Sequence, residues 1–363
     1  TVLLRGRTPI GEVVPGEGIA AAEVARILGG LGARRAVVLT EPGVLAAGGA
    51  AVVDALARAL GPERSVERIE LPQGEAAKRL SVVEAAAREL ARLRVERSDV
   101  IVALGGGALG DTAGFIAATW LRGVRFVQVP TTLVAQVDSS IGGKTGVDLP
   151  EGKNLVGAFH QPEAIVIDTA FLRTLPEREL RAALGEAVKM AVLGDERLFE
   201  LLEGSGEAIA RGDAAAFESG AVAEVVERSA WAKVEVVSAD EREQGAAGGR
   251  ITLNLGHSLG HAVEAAGGYE ALRHGEAVAY GLRAAVGLGR ALGLTPPERA
   301  DRILALLGRL GLAVGRLPYS AEAVRAALGT DKKHAAGRLR WVLPDATGCL
   351  LYTSDAADEG LGV

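Results

Sequence analysis

The chain has 363 residues, of which 48% are hydrophobic and 24% are charged, and its formal net charge is −6. This composition is typical of a globular protein and excludes an intrinsically disordered one. Its 40 basic residues are dispersed along the sequence, which argues against nucleic acid or an anionic membrane as the main partner.

Cysteine content and apolar runs bear on where the protein works. The single cysteine, Cys349, cannot form an internal disulfide or a thiolate metal cluster, which favours a reducing cytoplasm. No uninterrupted apolar run reaches the roughly 18 residues that a membrane-spanning helix needs. We therefore expect a cytoplasmic protein with no membrane and no nucleic acid as partner.

The first part of the chain alternates short apolar strands with alanine-rich helices. Predicted strands are Ala36–Thr40, Asp99–Leu104, Val124–Val129 and Ala164–Asp168, and predicted helices are Ala50–Leu60 and Ser81–Leu93. Continuous apolar strands separated by helices predict a parallel sheet that is covered on both faces.

A glycine-rich segment follows the strand that ends at Leu104. Gly105, Gly107 and Gly110 match the pattern G-x-G-x-x-G, and a helical pattern begins at Thr112. Glycines in this position let backbone N–H groups approach a pyrophosphate at a helix N-terminus. The acidic residue expected about 20 positions further on is missing. The segment is therefore either an unusual nucleotide loop or a flexible turn.

Two lysines follow among glycines and hydroxyl residues. Lys144, Lys153 and Asn154 come after a predicted strand, in a stretch rich in turn residues. Lysines in such a setting indicate an anion or phosphate site, although the spacing is not that of a Walker A loop. The alternative is a solvated loop.

The second part of the chain is predicted to be mostly helical, with a domain boundary near Leu175. Pro176 followed by Glu and Arg is typical of a helix start. The strand-like segments Arg250–Leu253 and Leu339–Leu343 are exceptions. Residues 349–363 fit neither helix nor strand periodicity, and we expect them to be a disordered tail or non-native sequence. The predicted domains are thus residues 1–174, residues 175–348 and this tail.

Three of the five histidines fall between His257 and His274. His257 and His261 share one helix face, and His274 is expected at the start of the next helix. With Glu186, a carboxylate in an apolar helix where it would be costly to bury unpaired, these imidazoles suit zinc or a similar divalent ion. Spacing alone favours His257 and His261 as the ligand pair. The alternative is a group of satisfied core residues.

Seven ordered motifs run through the chain between about Val37 and Pro344. They are Gly105–Asp111, Arg122–Val124, Val129–Thr132, Asp138–Thr145, Gly152–Asn154, Leu253–His257 with His261, and His274–Glu276. This set resembles the 3-dehydroquinate synthase family of the sugar-phosphate cyclases. The resemblance implies an α/β nucleotide-binding domain followed by an all-α metal- and substrate-binding domain. It also implies conversion of a sugar phosphate, 3-deoxy-arabino-heptulosonate 7-phosphate, to 3-dehydroquinate and phosphate with NAD⁺ regenerated, in a homodimer.

The resemblance also implies a role for individual residues. Metal ligands for Zn²⁺ or Co²⁺ would be Glu186, His257 and His274, with His261 left unligated in the active site. Residues implied in catalysis are His261, Lys144, Lys189, Asp138 and Glu243. Substrate would contact Arg122, Lys144, Asn154, Lys189, Lys233, Arg250, Asn254 and one of Lys332 or Lys333. NAD⁺ would contact Glu75, Lys78, Gly105, Gly106, Gly107, Ala108, Leu109, Gly110, Asp111, Thr131, Thr132, Lys144, Lys153, Phe171, Leu172, Arg173 and Thr174.

Several departures from the family pattern limit this transfer. Glu41-Pro42-Gly43 stands where the family has Asp-x-Asn, and three extra residues within Gln244–Gly249 make the match of Glu243 depend on a gap. The usual start is clipped, and the closing strand and helix beyond Gly348 are replaced. The alternatives are another sugar-phosphate cyclase or a metal-dependent NAD polyol dehydrogenase of the same fold.

Overall fold

The computed structural model describes residues 5–243, 249–269, 271–317, 319–329, 334–335 and 338–353. The chain divides into two compact units, Thr1–Leu175 and Pro176–Val363. Lys332 and Lys333, residues 244–248 in the predicted insertion and residues 354–363 of the predicted tail lie outside the described residues.

Unit 1 is built on a seven-stranded sheet and a separate hairpin. Its strands are β1 Gly6–Thr8, β2 Gly11–Gly16, β3 Arg35–Thr40, β4 Ser65–Glu70, β5 Val100–Gly105, β6 Arg125–Pro130, β7 Lys144–Leu149, β8 Gly152–Phe159 and β9 Ala164–Asp168. The sheet has the order β1-β2-β9-β6-β5-β3-β4. Strands β1 and β2 are antiparallel and all other neighbours are parallel, which confirms the predicted parallel sheet. Strands β7 and β8 form an antiparallel hairpin.

Helices cover both faces of this sheet. They are α1 Ala20–Gly30, α2 Pro42–Val44, α3 Ala50–Leu60, α4 Leu80–Arg92 and α5 Gly107–Thr119. Because successive strand residues point to opposite faces, Val38 of β3 packs with α1 and α3, whereas Val37 and Leu39 pack with α4 and α5. The central strands are therefore apolar on both faces, which is why they were recognisable in the sequence.

Unit 1 also departs from the predictions in three places. Lys144, Lys153 and Asn154 lie in the β7–β8 hairpin and not in an open loop. Helix α5 begins at Gly107, five residues before the predicted Thr112, because the glycines themselves form its first turn. One stretch, Pro42–Leu60, is long and apolar enough to cross a membrane by its length and composition alone.

The Pro42–Leu60 stretch has features of a helix that covers a core. Its helical geometry breaks at Gly48, where φ is 108°. Leu56 is buried, and Val52 and Val53 pack against the same cluster of sheet residues.

Unit 2 is mostly helical. Its helices are α6 Glu177–Val192, α7 Glu196–Arg211, α8 Ala214–Glu218, α9 Ala221–Ala239, α10 His257–Ala266, α11 His274–Ala291, α12 Pro297–Arg309 and α13 Ala321–Gly329. Strands β10 His334–Ala335, β11 Arg338–Pro344 and β12 Cys349–Thr353 form a small antiparallel sheet. The prediction of a strand at Leu339–Leu343 is confirmed by β11.

Two predictions for unit 2 are corrected by the structure. Arg250–Leu253 is not a strand but part of a 3-10 turn, Arg250–Asn254, held by the bond from Thr252 N–H to Gly249 O at 3.0 Å. Cys349–Thr353 is not tail but strand β12, which pairs with β11 from Pro344↔Cys349 to Arg340↔Thr353. A strand of five residues is too short for its hydrophobic periodicity to be recognised, and it is pairing with β11 that stabilises it.

Candidate functional site

The carboxyl ends of the parallel strands meet at one edge of the unit 1 sheet. From β3 the chain goes to β4 on one side, and it then returns to place β5 on the other side of β3. The direction of strand addition therefore reverses between β3 and β5. Open α/β sheets bind ligands outside the carboxyl ends of their strands at such a switch point.

Glycines between β5 and α5 expose the backbone at this point. A Cβ atom on Gly106 would lie 3.2 Å from Thr132 Cγ2, and one on Gly107 would lie 2.6 Å from Ser139 Oγ. The first N–H groups of α5 have no partner within the helix and carry the positive end of its dipole. A cradle of backbone N–H groups that side chains would block fits a phosphate group.

Glu41 is an acidic residue at the same edge to which the sequence analysis gave no role. It follows β3, and the residue is only 8% exposed. Its Oε1 lies 3.9 Å from the position of a Cβ on Gly106, and its Oε2 accepts a hydrogen bond from Gly74 N–H at 2.8 Å. The usual dinucleotide pattern places its acidic residue downstream of the glycine loop. Here the strand beside β5 is β3, which precedes it in the chain, so the acidic residue lies upstream.

Lys78 joins three segments of unit 1. Its ammonium lies 2.7 Å from Asp111 Oδ2 and donates to Asn154 Oδ1, and it is 4% exposed. Burial alone would lower the pKa of Lys78, but Asp111, together with Glu75 and Asp148, more than offsets this, so that its pKa is raised. Lys153 forms an ion pair with Glu75 at 3.4 Å. These lysines thus hold the β7–β8 hairpin to the segment before α4 and to α5.

Other predicted residues of unit 1 are divided between the two edges of the sheet. Thr131 donates its N–H to Gly105 O at 2.9 Å, and Thr132 follows it at the carboxyl edge. The turn Thr169–Thr174, which contains Phe171, Leu172 and Arg173, follows β9 at this edge. Asp138 lies in a turn, Ala135–Ser139, that reaches Gly107 through Ser139. Arg122 is exposed and precedes β6, which places it at the amino edge, away from the glycine loop.

Unit 2 brings together a carboxylate and two imidazoles. Glu186 of α6 is fully buried, and its Oε1 lies 3.4 Å from His257 Nε2 and 3.3 Å from His274 Nε2. One ligand atom from each of the three residues lies within 4.8 Å of the others. His261, one turn after His257 on α10, has its ring centroid 5.4 Å from that of His257 and 6.1 Å from that of His274.

Glycines next to these ligands let the helix backbones touch. Gly275 follows His274, and a Cβ atom on it would lie 1.9 Å from Ala182 O of α6. Gly185 precedes Glu186, and its Cβ would lie 2.3 Å from Gly275 O. Gly256 precedes His257. A Cβ atom on Gly281 of α11 would lie 1.7 Å from Gly256 O. Each ligand is therefore adjacent to a glycine at a helix contact.

The electrostatics of the triad fit a cation. Within the described residues, neither oxygen of Glu186 accepts a hydrogen bond of acceptable geometry, although Lys189 Nζ forms an ion pair with its Oε2. Burial would raise the pKa of Glu186, but Lys189 and His274 lower it. Burial would lower the pKa of His274, but the carboxylates of Glu186 and Glu264, one beside each ring nitrogen, raise it to about 10. A buried carboxylate that faces two imidazole nitrogens is a donor set suited to zinc.

A second polar group surrounds the 3-10 turn that precedes α10. Arg250 is 3% exposed, its N–H donates to Asp240 Oδ2 at 3.2 Å, and its guanidinium donates to Glu241 O. Asn254 Nδ2 donates to Glu243 Oε1 at 2.9 Å. Lys233 of α9 is 7% exposed. Three residues predicted for the site, namely Arg250, Asn254 and Glu243, therefore lie at this turn or are bonded to it.

Known proteins resemble the chain over most of its length. A family model for the 3-dehydroquinate synthase N-terminal domain matches residues 68–182, and a model for the C-terminal domain matches residues 183–334. A 3-dehydroquinate synthase of Ruegeria pomeroyi is 44% identical over 357 residues, which cover 96% of this chain and 93% of that protein.

Solved structures of sugar-phosphate cyclases share the fold. The 2-epi-5-epi-valiolone synthase of Streptomyces hygroscopicus, with NAD⁺ and Zn²⁺ bound, is 28% identical, with a TM-score of 0.80 over 94% of this chain and 92% of that one. A 2-deoxy-scyllo-inosose synthase complexed with carbaglucose-6-phosphate, NAD⁺ and Co²⁺ has a TM-score of 0.83 over 96% of each chain. At 24% identity, the second likeness shows the fold alone.

Proposed function

Since the chain belongs to the 3-dehydroquinate synthase family, we propose that it is a lyase that converts 3-deoxy-arabino-heptulosonate 7-phosphate to 3-dehydroquinate and phosphate. The observation that carries the proposal is the buried Glu186 carboxylate facing Nε2 of His257 and of His274, in a chain whose family performs this chemistry. A homodimer, carried over from the family resemblance, is part of the proposal. So is a cytoplasmic location, which is inferred from the single cysteine.

NAD⁺ is the dinucleotide we assign to unit 1. The backbone of Gly105–Gly110 and the amino end of α5 would hold its pyrophosphate, and Glu41 would accept hydrogen bonds from a ribose. Thr131, Thr132 and the turn Phe171–Thr174 lie at the same edge of the sheet. The cofactor held there would supply a hydride acceptor that is regenerated within each reaction cycle, so that no net NADH would form. Support for this cofactor comes from the glycine cradle and from the NAD⁺-bound relative at 28% identity.

Glu186, His257 and His274 are the residues we assign to a metal ion, Zn²⁺ with Co²⁺ as a substitute. A divalent ion held by these side chains would polarise a substrate hydroxyl and lower its pKa. His261 lies beside the triad on the same helix, and imidazole is the side chain best suited to exchange a proton near neutral pH. We therefore assign His261 to proton transfer at that hydroxyl.

Cationic side chains are assigned to the phosphate and carboxylate groups of the substrate. Arg250 offers a planar guanidinium that can bind an anion with two hydrogen bonds, while Lys189 and Lys233 offer buried ammonium groups. The family resemblance adds Lys144, Asp138, Asn154 and Lys332 or Lys333 to the proposed substrate set, and Asn254 donates a hydrogen bond to Glu243. Arg122 is not added, because it lies at the amino edge of the sheet. A polyol dehydrogenase of the same fold would have no phosphate for such cations to bind.

The proposal is tested by following two products at once. Purified protein is given NAD⁺, Zn²⁺ and the heptulosonate phosphate, and inorganic phosphate and NADH absorbance are recorded together. We expect multiple turnovers of phosphate with NADH at no more than the level of the enzyme. Net NADH from a simple polyol would assign the protein to the dehydrogenases instead. Turnover of another sugar phosphate in preference to this one would assign it to a sister cyclase.

A further inference from the structure

Helix α10 presents a third polar side chain on the face that carries its histidines. His257, His261 and Glu264 follow one another at spacings of four and three residues, which place them on one side of a helix. Glu264 is 8% exposed, and its hydrophobic neighbours Ala262 and Val263 belong to a buried cluster with Ala277 and Val324. A carboxylate in such surroundings requires a partner that offsets its lost hydration.

The partner of Glu264 is a ring nitrogen of His274. Glu264 Oε2 lies 3.1 Å from His274 Nδ1, while the other nitrogen, Nε2, lies 3.3 Å from Glu186 Oε1. A carboxylate accepts hydrogen bonds, so Nδ1 carries a proton towards Glu264. A divalent ion bound beside Glu186 would displace any proton from Nε2, and this nitrogen would then offer its lone pair to the ion.

The second imidazole of the triad is held in the same way by a different group. His257 Nδ1 lies 3.2 Å from Leu255 O, so a backbone carbonyl fixes the ring and leaves Nε2 towards Glu186. The orientation of His257 therefore does not depend on any side chain at position 255. The orientation of His274 depends on the side chain of Glu264.

We propose that Glu264 is a positioning residue, whose carboxylate fixes the ring orientation and tautomer of His274 and thereby sets the affinity of the triad for its divalent ion. The inference rests on the proposed metal site. Histidine ligands are generally oriented by a hydrogen bond from their other ring nitrogen, and loss of such a partner costs about 10-fold to 100-fold in metal affinity. Glu264 touches neither the ion nor the substrate in this scheme.

Zinc affinity of the whole protein, measured by competition with a chromogenic chelator, tests the inference. Wild type is expected to bind one ion per chain. Glu264→Ala is expected to bind it about 10-fold to 100-fold more weakly, and Glu264→Gln, which keeps an acceptor oxygen, to lose less. Glu298→Gln is the matched control, because it removes an exposed carboxylate far along the chain and is expected to bind zinc as wild type does.

Several outcomes separate this inference from the proposed function. If wild type binds no divalent ion, the metal site itself is wrong. If wild type binds zinc and both Glu264 variants bind it equally well, the positioning role is wrong and the proposed function stands. Since His261, Glu264 and His274 could themselves hold an ion, the loss of a second bound ion in Glu264→Ala would make Glu264 a ligand and overturn the proposal.

Two further measurements distinguish a changed metal site from an unfolded variant. With saturating Co²⁺ in place of Zn²⁺, we expect the visible absorption of Glu264→Ala to change in intensity while one ion per chain is retained, because the His274 ring has lost the acceptor that orients it. Circular dichroism of the metal-free variants should match that of metal-free wild type. An unchanged cobalt spectrum in a folded variant contradicts the proposal.

Discussion

Gly275 illustrates how a residue without a side chain controls the metal triad. A Cβ atom at this position would lie 1.9 Å from Ala182 O, so Gly275→Ala must push α11 away from α6 and separate His274 from Glu186. We expect this variant to lose at least 10-fold in zinc affinity, measured by chelator competition, and to melt at a lower temperature. Overpacking of this kind typically costs about 1–3 kcal/mol.

Gly287 on the same helix is the matched control, since a Cβ there would meet nothing within 4 Å. Gly287→Ala should leave zinc affinity unchanged and stabilise the protein by up to about 1 kcal/mol, because alanine favours the helix over glycine. Equal zinc affinity in Gly275→Ala and Gly287→Ala would show that backbone contact does not determine the triad.

The amino end of helix α11 is stabilised by a carboxylate. Glu276 accepts a hydrogen bond from Arg273 N–H at 2.9 Å and two from the Arg178 guanidinium of α6, at 2.9 and 2.8 Å. Burial would raise the pKa of Glu276, but these donors lower it below its usual value. Because His274 is the first residue of α11, this end of the helix also positions a candidate ligand.

Removing the charge of Glu276 should therefore have a pH-dependent effect on stability. A carboxyl whose pKa is lowered by folding stabilises the folded state above its unfolded pKa, about 4.3, and this contribution is lost as the pH falls through the folded value. Urea unfolding at pH 7 should show a free energy of unfolding about 1 kcal/mol lower for Glu276→Gln than for wild type, and this difference should shrink as the pH is lowered. Glu218→Gln, at an exposed position, should unfold with the same free energy as wild type. A difference for Glu276→Gln that grows in acid would contradict a lowered pKa for Glu276.

At the scale of the whole molecule, each unit carries its own candidate ligand site. We expect NAD⁺ to slow hydrogen exchange in unit 1 around Gly105–Asp111 and Thr131, and Zn²⁺ to slow it in unit 2 in α6, α10 and α11. The reason is that a ligand that binds only the folded state suppresses local opening. Exchange measured by mass spectrometry with each ligand alone checks this. Protection by Zn²⁺ in the glycine loop but not in α10 would reverse the assignment.

The parts of this molecule that could be predicted from sequence are those whose signals are local. Strands β3, β5, β6 and β9 were recognised because they are buried on both faces and read as continuous apolar runs. Strand β4, Ser-Val-Glu-Arg-Ile-Glu, lies at the edge of the sheet and carries charges. Its sequence therefore lacks the continuous apolar run of a buried strand, and its pairing with β3 identifies it as a strand.

In the candidate site, too, features with a local sequence signal were predicted and features that depend on distant contacts were not. Spacing identified the histidine cluster but favoured His257 with His261, because an i, i+4 pair is visible within one helix. The approach of His274 depends on contacts of α11 with α6 and α10, which no local pattern encodes, and only the family resemblance favoured it over His261 as a ligand. Glu41 and Glu264 were missed for a similar reason, since one acts through a neighbouring strand and the other through a neighbouring helix.

The ion pair of Lys78 with Asp111 has a consequence for the charge that an incoming dinucleotide meets. Asp111 lies in the second turn of α5, where a lone carboxylate would repel a pyrophosphate gathered at the amino end of that helix. Lys78 Nζ, 2.7 Å away and buried, cancels that charge. A pyrophosphate at this helix end would therefore meet the helix dipole without the opposing charge of Asp111, in a protein whose net charge is −6. A chain can thus be acidic as a whole and still offer an anion a favourable helix end, because one internal lysine offsets the carboxylate within that helix.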